Sequence, residues 1–263
     1  MADHALLSAS SSARWLACPP SAKLCAGKDD RASPYAQEGT DAHSLCQYKV
    51  EKALGKDVQD PTENLDYYNA EMESCAENYC SFVMEELAEA HKHCPDPLVL
   101  VEQRLDFSRW VRAGFGTGDC LIIADDMLQI IDFKYGLGVL VSAEKNPQMM
   151  CYALGALELF DGIYDIQKIR MTIFQPRRDN ISTYEIGKDE LLKWADEALK
   201  PTADLAFEGK AISEPAITVN SARSKRPAAD ARNTIWNLQD MIFRCRISWK
   251  KMRSPPSSRK SIR

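Results

Sequence analysis

A chain of 263 residues, 45% apolar and 27% charged, is long enough to bury a substantial core as one large domain or one domain with a helical insertion, so global disorder is not expected. No run approaches the roughly 18 apolar residues of a membrane span, and no basic segment followed by an apolar stretch opens the chain, which predicts a cytoplasmic protein with no membrane partner. The formal charge of −5 hides an imbalance, +10 from Ser221 onward against −15 over residues 1–220. An acidic body is a poor non-specific ligand for nucleic acid, although a site that collects cations can itself be acidic.

The first thirty or so residues read as an ordered segment around Trp15 and Leu16, followed by a polar loop over 28–34. A helix is predicted over 35–54, ended by Gly55, and a longer one over 64–94, with a 3.6-residue stripe through Met72, Cys75, Ala76, Tyr79, Phe82, Val83 and Leu87, stopped by Pro95 and Pro97. Strand patterns follow over 98–107, 114–124 and 127–134, bounded by Gly and Asp turns and reading as an antiparallel meander. A helix over 146–160, strands over 168–175 and 181–186 and a helix over 188–206 complete the order. The fold class expected is α/β, one domain built around a mixed β-sheet flanked by helices. Its helical N-terminal part spans 35–94, its sheet core 98–208 and the whole domain 1–220. No period of 20 to 50 residues recurs, which removes solenoids and propellers.

Nine cysteines include no CxxC pair, which speaks against a zinc ribbon, and an odd number fits a complete disulfide framework poorly. Most read as reduced, buried thiols.

Chemistry concentrates at Gly116-Thr117-Gly118-Asp119 and Ile130-Ile131-Asp132-Phe133-Lys134, one hairpin apart. In a strand, residues two apart share a face, so Asp132 and Lys134 point the same way, and the hairpin can set Asp119 beside Asp132. Carboxylate oxygens of this kind suit Mg²⁺ or Mn²⁺, with the main-chain carbonyl of Phe133 as a third ligand and Lys134 to orient or deprotonate a water. His43 on the first long helix offers an imidazole to the same cluster, and Gln148 and Tyr152, four apart, emerge on one helix face. Each piece alone also reads blandly, as a hairpin with polar ends, a structural histidine or a chance spacing.

Taken in order, Gly39-x-x-x-His43, Gly118-Asp119, Asp132-x-Lys134 and Gln148-x-x-x-Tyr152 resemble the motif series of PD-(D/E)XK nucleases of the RecB type. Ser8-x-Ser10 and Trp15-Leu16-x-Cys18-Pro19 are similar to the opening of RecB-like and CRISPR-associated exonucleases. The likeness covers about residues 5–215 and is nearest to a phage- and prophage-encoded RecB-like family. It implies a PD-(D/E)XK core, with His43, Asp119 and Asp132 as metal ligands, Lys134 as the catalytic lysine, Gln148 and Tyr152 near a DNA strand, and Glu102 as a carboxylate that supports the ligands from behind or binds a second metal. It further implies a Mg²⁺- or Mn²⁺-dependent deoxyribonuclease acting on DNA, single-stranded or with free ends, alongside phage recombination or replication proteins in a bacterial host. Many relatives hold an iron–sulfur cluster with one N-terminal cysteine and three C-terminal ones. Cys18 matches the first position, but only Cys245 follows Cys151, so the cluster cannot be completed that way and is expected to be absent.

Three functions stand at this point: the nuclease, a catalytically weakened DNA-binding or scaffolding module on the same fold, and a hydrolase of another phosphate ester. No GxxxxGK loop supports a nucleoside triphosphatase. The basic tail 221–263 has two readings, a solvated nucleic-acid-binding arm or a frameshifted terminus whose neighbouring frame admits cysteines and an ordinary helix. Truncation at Pro215 tests the first, and the nucleotide sequence tests the second.

Overall fold

The computed structural model describes residues 5–26 and 34–211. The tail 221–263, with Cys245 and both readings of that segment, lies outside the described residues.

Helix α3 (Pro34–Ala53) buries Ala42, Leu45, Cys46 and Val50, spaced as one face of a helix. It ends as the sequence suggests: Gly55 takes φ +79°, Lys56 N–H donates to the Glu51 carbonyl and Gly55 N–H to that of Lys52, both at 3.0 Å. Helix α4 (Ala70–Ala90) starts six residues later than its periodicity suggests. Asn69 caps it, its side chain accepting from Met72 N–H at 2.9 Å. Upstream, the Tyr67 N–H is claimed by the Asp41 carboxylate at 2.9 Å, which holds the preceding residues in a turn. The helix also stops at Ala90 rather than 94, in a turn of i to i+3 bonds through Lys92 and His93.

The sheet runs β1 (Leu98–Asp106), β2 (Phe115–Ala124), β3 (Met127–Phe133), β4 (Lys168–Gln175), β5 (Asn180–Gly187), with spatial order equal to chain order. The first three strands and the last pair are antiparallel, and β3 and β4 are parallel, joined across one face by α5 (Pro147–Phe160). Both faces are covered, so strand side chains alternate between two cores rather than between core and water. Leu121, Ile123, Leu128 and Ile130 pack with α5, the short N-terminal helices α1 (Ser12–Ala17) and α2 (Ser21–Cys25) and the C-terminal helices. Cys120, Ile122, Ile131 and Phe133 pack under α3 and α4.

Trp15, fully buried, donates from its indole to the Ser8 carbonyl at 3.1 Å and holds the N-terminal segment on the α5 side. The predicted last helix appears as α6 (Lys188–Trp194), a π turn (Ala195–Leu199) and α7 (Lys200–Glu208). Pro201 lacks an N–H for the ladder, and the widened turn before it absorbs that loss. The described chain is therefore a mixed α/β structure, a five-stranded mixed sheet flanked by helices, and no described helix is long and apolar enough to cross a membrane.

One irregularity positions the site. Pairing of β1 with β2 skips Glu102 and Asp119 yet resumes in the same register, Val101 with Cys120 on one side and Gln103 with Gly118 on the other. Glu102 sits at φ +52°, a left-handed conformation rare for a non-glycine residue inside a strand. In β1, Leu98, Leu100 and Leu105 all reach the α5-side core, and in β2 a Cβ at Gly116 or Gly118 would meet residues of that same core, as Leu121 does. Alternation thus slips by one residue in both strands at the same level. The slip turns Glu102 and Asp119 toward α3.

A candidate metal centre at the end of the central strands

His43 Nδ1 lies 3.3 Å from Asp119 Oδ1, and one ligating atom from each of His43, Glu102 and Asp119 falls within 4.8 Å of the others. The Phe133 ring packs edge-on against the imidazole, with centroids 5.4 Å apart, so His43 is oriented by a buried aromatic below and a carboxylate beside it. Asp119 spends its other oxygen, Oδ2, on the Phe133 N–H at 2.7 Å. That bond fixes Asp119 to the end of β3, just past the last ladder pair, Cys120 with Ile131.

On the α5 side of the same strand end, Lys134 Nζ stands 2.9 Å from Asp132 Oδ2. Asp132 is 2% exposed, so its Oδ2 is buried with that ammonium as its ion-pair partner. Gln148 completes this half. Its Oε1 accepts from Lys134 at 3.3 Å, and its Nε2 donates to Asp132 Oδ1 at 3.2 Å and to the Tyr152 hydroxyl at 3.0 Å. Asn146, capping α5 through the Gln148 and Met149 N–H groups, sets the position of Gln148.

Electrostatics bind the halves together. Burial alone pushes the His43 imidazole down, but the charge and hydrogen bond of Asp119, with Asp132 behind it, carry it up to about 9. Burial and the neighbouring Asp119 hold the Glu102 carboxyl up at about 7, against the opposing pull of His43. Burial also raises Asp132, opposed by Lys134, whereas Asp119 is drawn below the usual carboxylate range because His43, Lys134 and the Phe133 N–H outweigh its burial. Burial lowers the Lys134 ammonium, but Asp132 and Asp119 more than reverse it, so it stays a cation. A proton on His43 thus supplies positive charge that a dication would supply instead.

A hard dication fits this donor set. The 3.3 Å between Nδ1 and Oδ1 is close to the edge of roughly 3 Å between adjacent ligands of an octahedral ion, and Glu102 adds a carboxylate whose burial beside Asp119 a dication would relieve.

The sequence-derived ligands are therefore redistributed. Glu102, expected as an accessory carboxylate, joins His43 and Asp119, while Asp132 lies outside that trio and faces Lys134. Of Phe133, the group that meets Asp119 is the N–H. Tyr152, expected near a DNA strand, is 5% exposed and touches the site through Gln148. Cys18 is an exposed free thiol at the end of α1.

Sequence reasoning missed Arg177. From the turn after β4 it pairs with Glu71 at 3.0 Å and Glu38 at 3.3 Å and stacks over the Tyr135 ring at 4.6 Å, clamping the starts of α3 and α4 to the sheet. Its partners lie 106 and 139 residues away, and no local pattern announces them.

Fold and site define a mixed α/β protein that gathers an imidazole, three carboxylates and a half-buried ammonium at one end of its central strands. The chain belongs to the family described as Protein of unknown function (DUF2800), whose profile matches residues 4–244. It also matches a solved structure titled "Crystal structure of SSO0001" at 14% identity, over 59% of this chain and 83% of that one. With a TM-score of 0.20, that likeness bears on neither fold nor function.

Proposed function

We propose that the protein is a Mg²⁺- or Mn²⁺-dependent deoxyribonuclease with a PD-(D/E)XK core of the RecB type. The observation that carries this reading is the convergence of residues from four separate motifs, His43, Asp119, Asp132 with Lys134, and Gln148 with Tyr152, through contacts of 2.7 to 3.3 Å. His43, Glu102 and Asp119 would hold the ion, while Asp132, on the α5 side of the same strand end, holds Lys134. A divalent ion there would polarise a phosphoryl oxygen and lower the pKa of a bound water enough to make it a nucleophile at neutral pH.

The chain's own residues do the rest. Lys134, kept cationic by two carboxylates, stabilises negative charge developing on the phosphoryl group and orients the attacking water. Gln148 holds the ammonium and Asp132 in fixed relation, and Tyr152 fixes Gln148. The Tyr152 hydroxyl accepts from Gln148 at 3.0 Å, so the buried ring acts on the site through that glutamine.

The test is cleavage of end-labelled single- and double-stranded DNA with Mn²⁺, beside Asp132→Ala and Lys134→Ala. Loss of cleavage in both variants, with circular dichroism unchanged, supports the reading. Cleavage unchanged in both rejects the site, and DNA binding without cleavage by the wild type favours a scaffolding module.

A further inference from the structure

Beyond the candidate metal centre β1 and β2 run on as a hairpin, and alternation tells which of its side chains face the same way as the ligands. A Cβ at Gly116 would meet Tyr152 and one at Gly118 would meet Leu105 and Leu121, all members of the α5-side core. Phe115 and Thr117 therefore face the other way, with Asp119, and across the ladder so does Arg104, paired with Thr117 two residues past Glu102. The guanidinium carbon of Arg104 lies 4.0 Å from the centroid of the Phe115 ring, as residues on one shared face require.

Arg104 is exposed and its charge is unmatched. Among the described residues Arg109, Arg112, Arg170 and Arg177 each meet a carboxylate, at 3.2, 3.4, 2.7 and 3.0 Å, whereas none comes within 4.0 Å of Arg104. Asp106, the next acid on that face, turns its carboxylate to the Ser108 N–H at 2.8 Å. The stack on Phe115 holds the plane of the guanidinium and leaves its fork of N–H donors open.

Electrostatics give the open fork a task. The centre sets three carboxylates, Glu102, Asp119 and Asp132, against one ammonium, a balance that a dication brings only to neutrality. Attraction for a phosphodiester chain must then come from beside the centre. Lys134 is held by Asp132 at 2.9 Å, and Arg177 by Glu71 and Glu38. Arg104 is the only Lys or Arg within β1, β2 and β3. At about 3.3 Å per strand residue, its Cα lies about 7 Å from that of Glu102, and the Phe115 Cα about 13 Å from that of Asp119. The guanidinium over Phe115 thus stands about 7 to 13 Å along the hairpin from the ligands, a span one DNA strand covers in about two to four base steps.

We propose that Arg104 is a substrate-binding residue: its guanidinium, laid flat on Phe115, grips a non-scissile phosphate of the DNA strand through two parallel N–H bonds and so seats that strand across the centre. The inference rests on the nuclease reading and adds to it the contact that draws the strand to a site with no net attraction of its own.

The test compares Arg104→Gln and Arg104→Lys with the parent chain for binding of labelled DNA across a range of salt, with Mn²⁺, in the Asp132→Ala background where the DNA stays whole. Arg104→Gln is expected to weaken binding at least about tenfold on DNA of any sequence and to lower the salt slope by about one. Arg104→Lys should restore the slope but only part of the affinity, because an ammonium cannot make the paired bonds. DNA carrying one neutral methylphosphonate at a time locates the contact. Substitution at one position about two to four steps from the cut should weaken binding when Arg104 is present and change nothing in Arg104→Gln. In the chain that keeps Asp132, Arg104→Gln should raise KM with kcat and Mn²⁺ affinity unchanged. An unchanged salt slope, the same methylphosphonate profile with and without Arg104, or a kcat that falls at constant KM overturns the assignment while leaving the nuclease intact. A loss of Mn²⁺ affinity in Arg104→Gln does so too, by showing that the arginine only supports the fold of the hairpin. A wild type that neither cuts nor binds DNA overturns both readings, and so is told apart from failure of the arginine contact alone.

Discussion

Metal binding should compete with two protons, and the structure sets the size of the competition. His43 titrates at about 9 and Glu102 at about 7, and an ion needs both unprotonated. At pH 6 the imidazole is free in about one molecule in a thousand and the carboxylate in about one in ten, whereas at pH 8 the fractions are about one in ten and nine in ten. Apparent affinity for Mn²⁺ should therefore rise by about a thousandfold between pH 6 and 8, equivalent to about 4 kcal/mol. His43 is 34% exposed, and solvent screening that halves its part leaves a floor of about a hundredfold, or about 2.7 kcal/mol.

The metal-free protein should move the opposite way. A histidine raised above its unfolded value of 6.5 contributes stability that is full below that pH and lost toward 9, and a carboxyl raised from 4.5 to about 7 favours the folded state least once ionised. Metal-free stability should thus fall between pH 5 and 9 while the Mn²⁺-induced gain grows. Titration calorimetry at pH 6, 7 and 8 in two buffers of different ionisation heat measures affinity and proton release together. An affinity flat across that range, or binding that releases no protons, refutes the assignment of His43 and Glu102 as ligands.

Three further outcomes are expected. Glu102→Asn should raise the stability of the metal-free protein by about 1 kcal/mol, because asparagine tolerates the left-handed backbone and removes a carboxylate pressed against Asp119, and should weaken Mn²⁺ binding at least about tenfold; thermal melting with and without Mn²⁺ reads both. Lys134→Met should cost about 1 to 2 kcal/mol, measured by urea unfolding, since it strands the buried Asp132 carboxylate, and should lower DNA cleavage by about a hundredfold or more. Gly155→Ala should destabilise by about 1 to 3 kcal/mol, a melting shift of several degrees, because its Cβ would lie 2.9 Å from Leu105 Cβ and 3.2 Å from the Asp106 nitrogen where α5 crosses β1.

Periodicity made the elements legible. Buried stripes gave α3, α4 and α5, and the turn signals around 114–134 marked the antiparallel meander of β1, β2 and β3. The Asp132-x-Lys134 pairing followed from strand alternation alone and appears as a 2.9 Å contact. Alternation failed where it mattered for Glu102 and Asp119, since a simultaneous slip in two strands leaves no trace in hydrophobic pattern, and a glutamate at φ +52° contradicts the propensity a sequence reader relies on. The start of α4 was misplaced because Asp41, a residue of another helix, holds Tyr67 in a turn, and the Asn69 cap is only one of several polar residues in that stretch. Arg177 acts across a long separation in sequence, so its role becomes visible only once β4 lies beside β3.

Among the described residues a second group of acidic side chains surrounds a cavity of about 270 Å³ at the far end of the sheet, lined by Glu86, Asp126, Gln129 and Arg170 among others. There the Glu86 carboxylate already accepts from Gln129 at 2.6 Å and stands 3.7 Å from Arg170, Asp126 pairs with Lys168 at 3.2 Å, and no imidazole and two carboxylates among the described residues are gathered there as they are at His43. A crystal soaked in Mn²⁺ and measured for anomalous scattering discriminates directly. The expected result is a single strong peak within about 2.0 to 2.4 Å of a His43 ring nitrogen and oxygens of Glu102 and Asp119. A map with no peak there, or with its strongest peak beside Glu86 and Asp126, would contradict a metal centre at the end of the central strands.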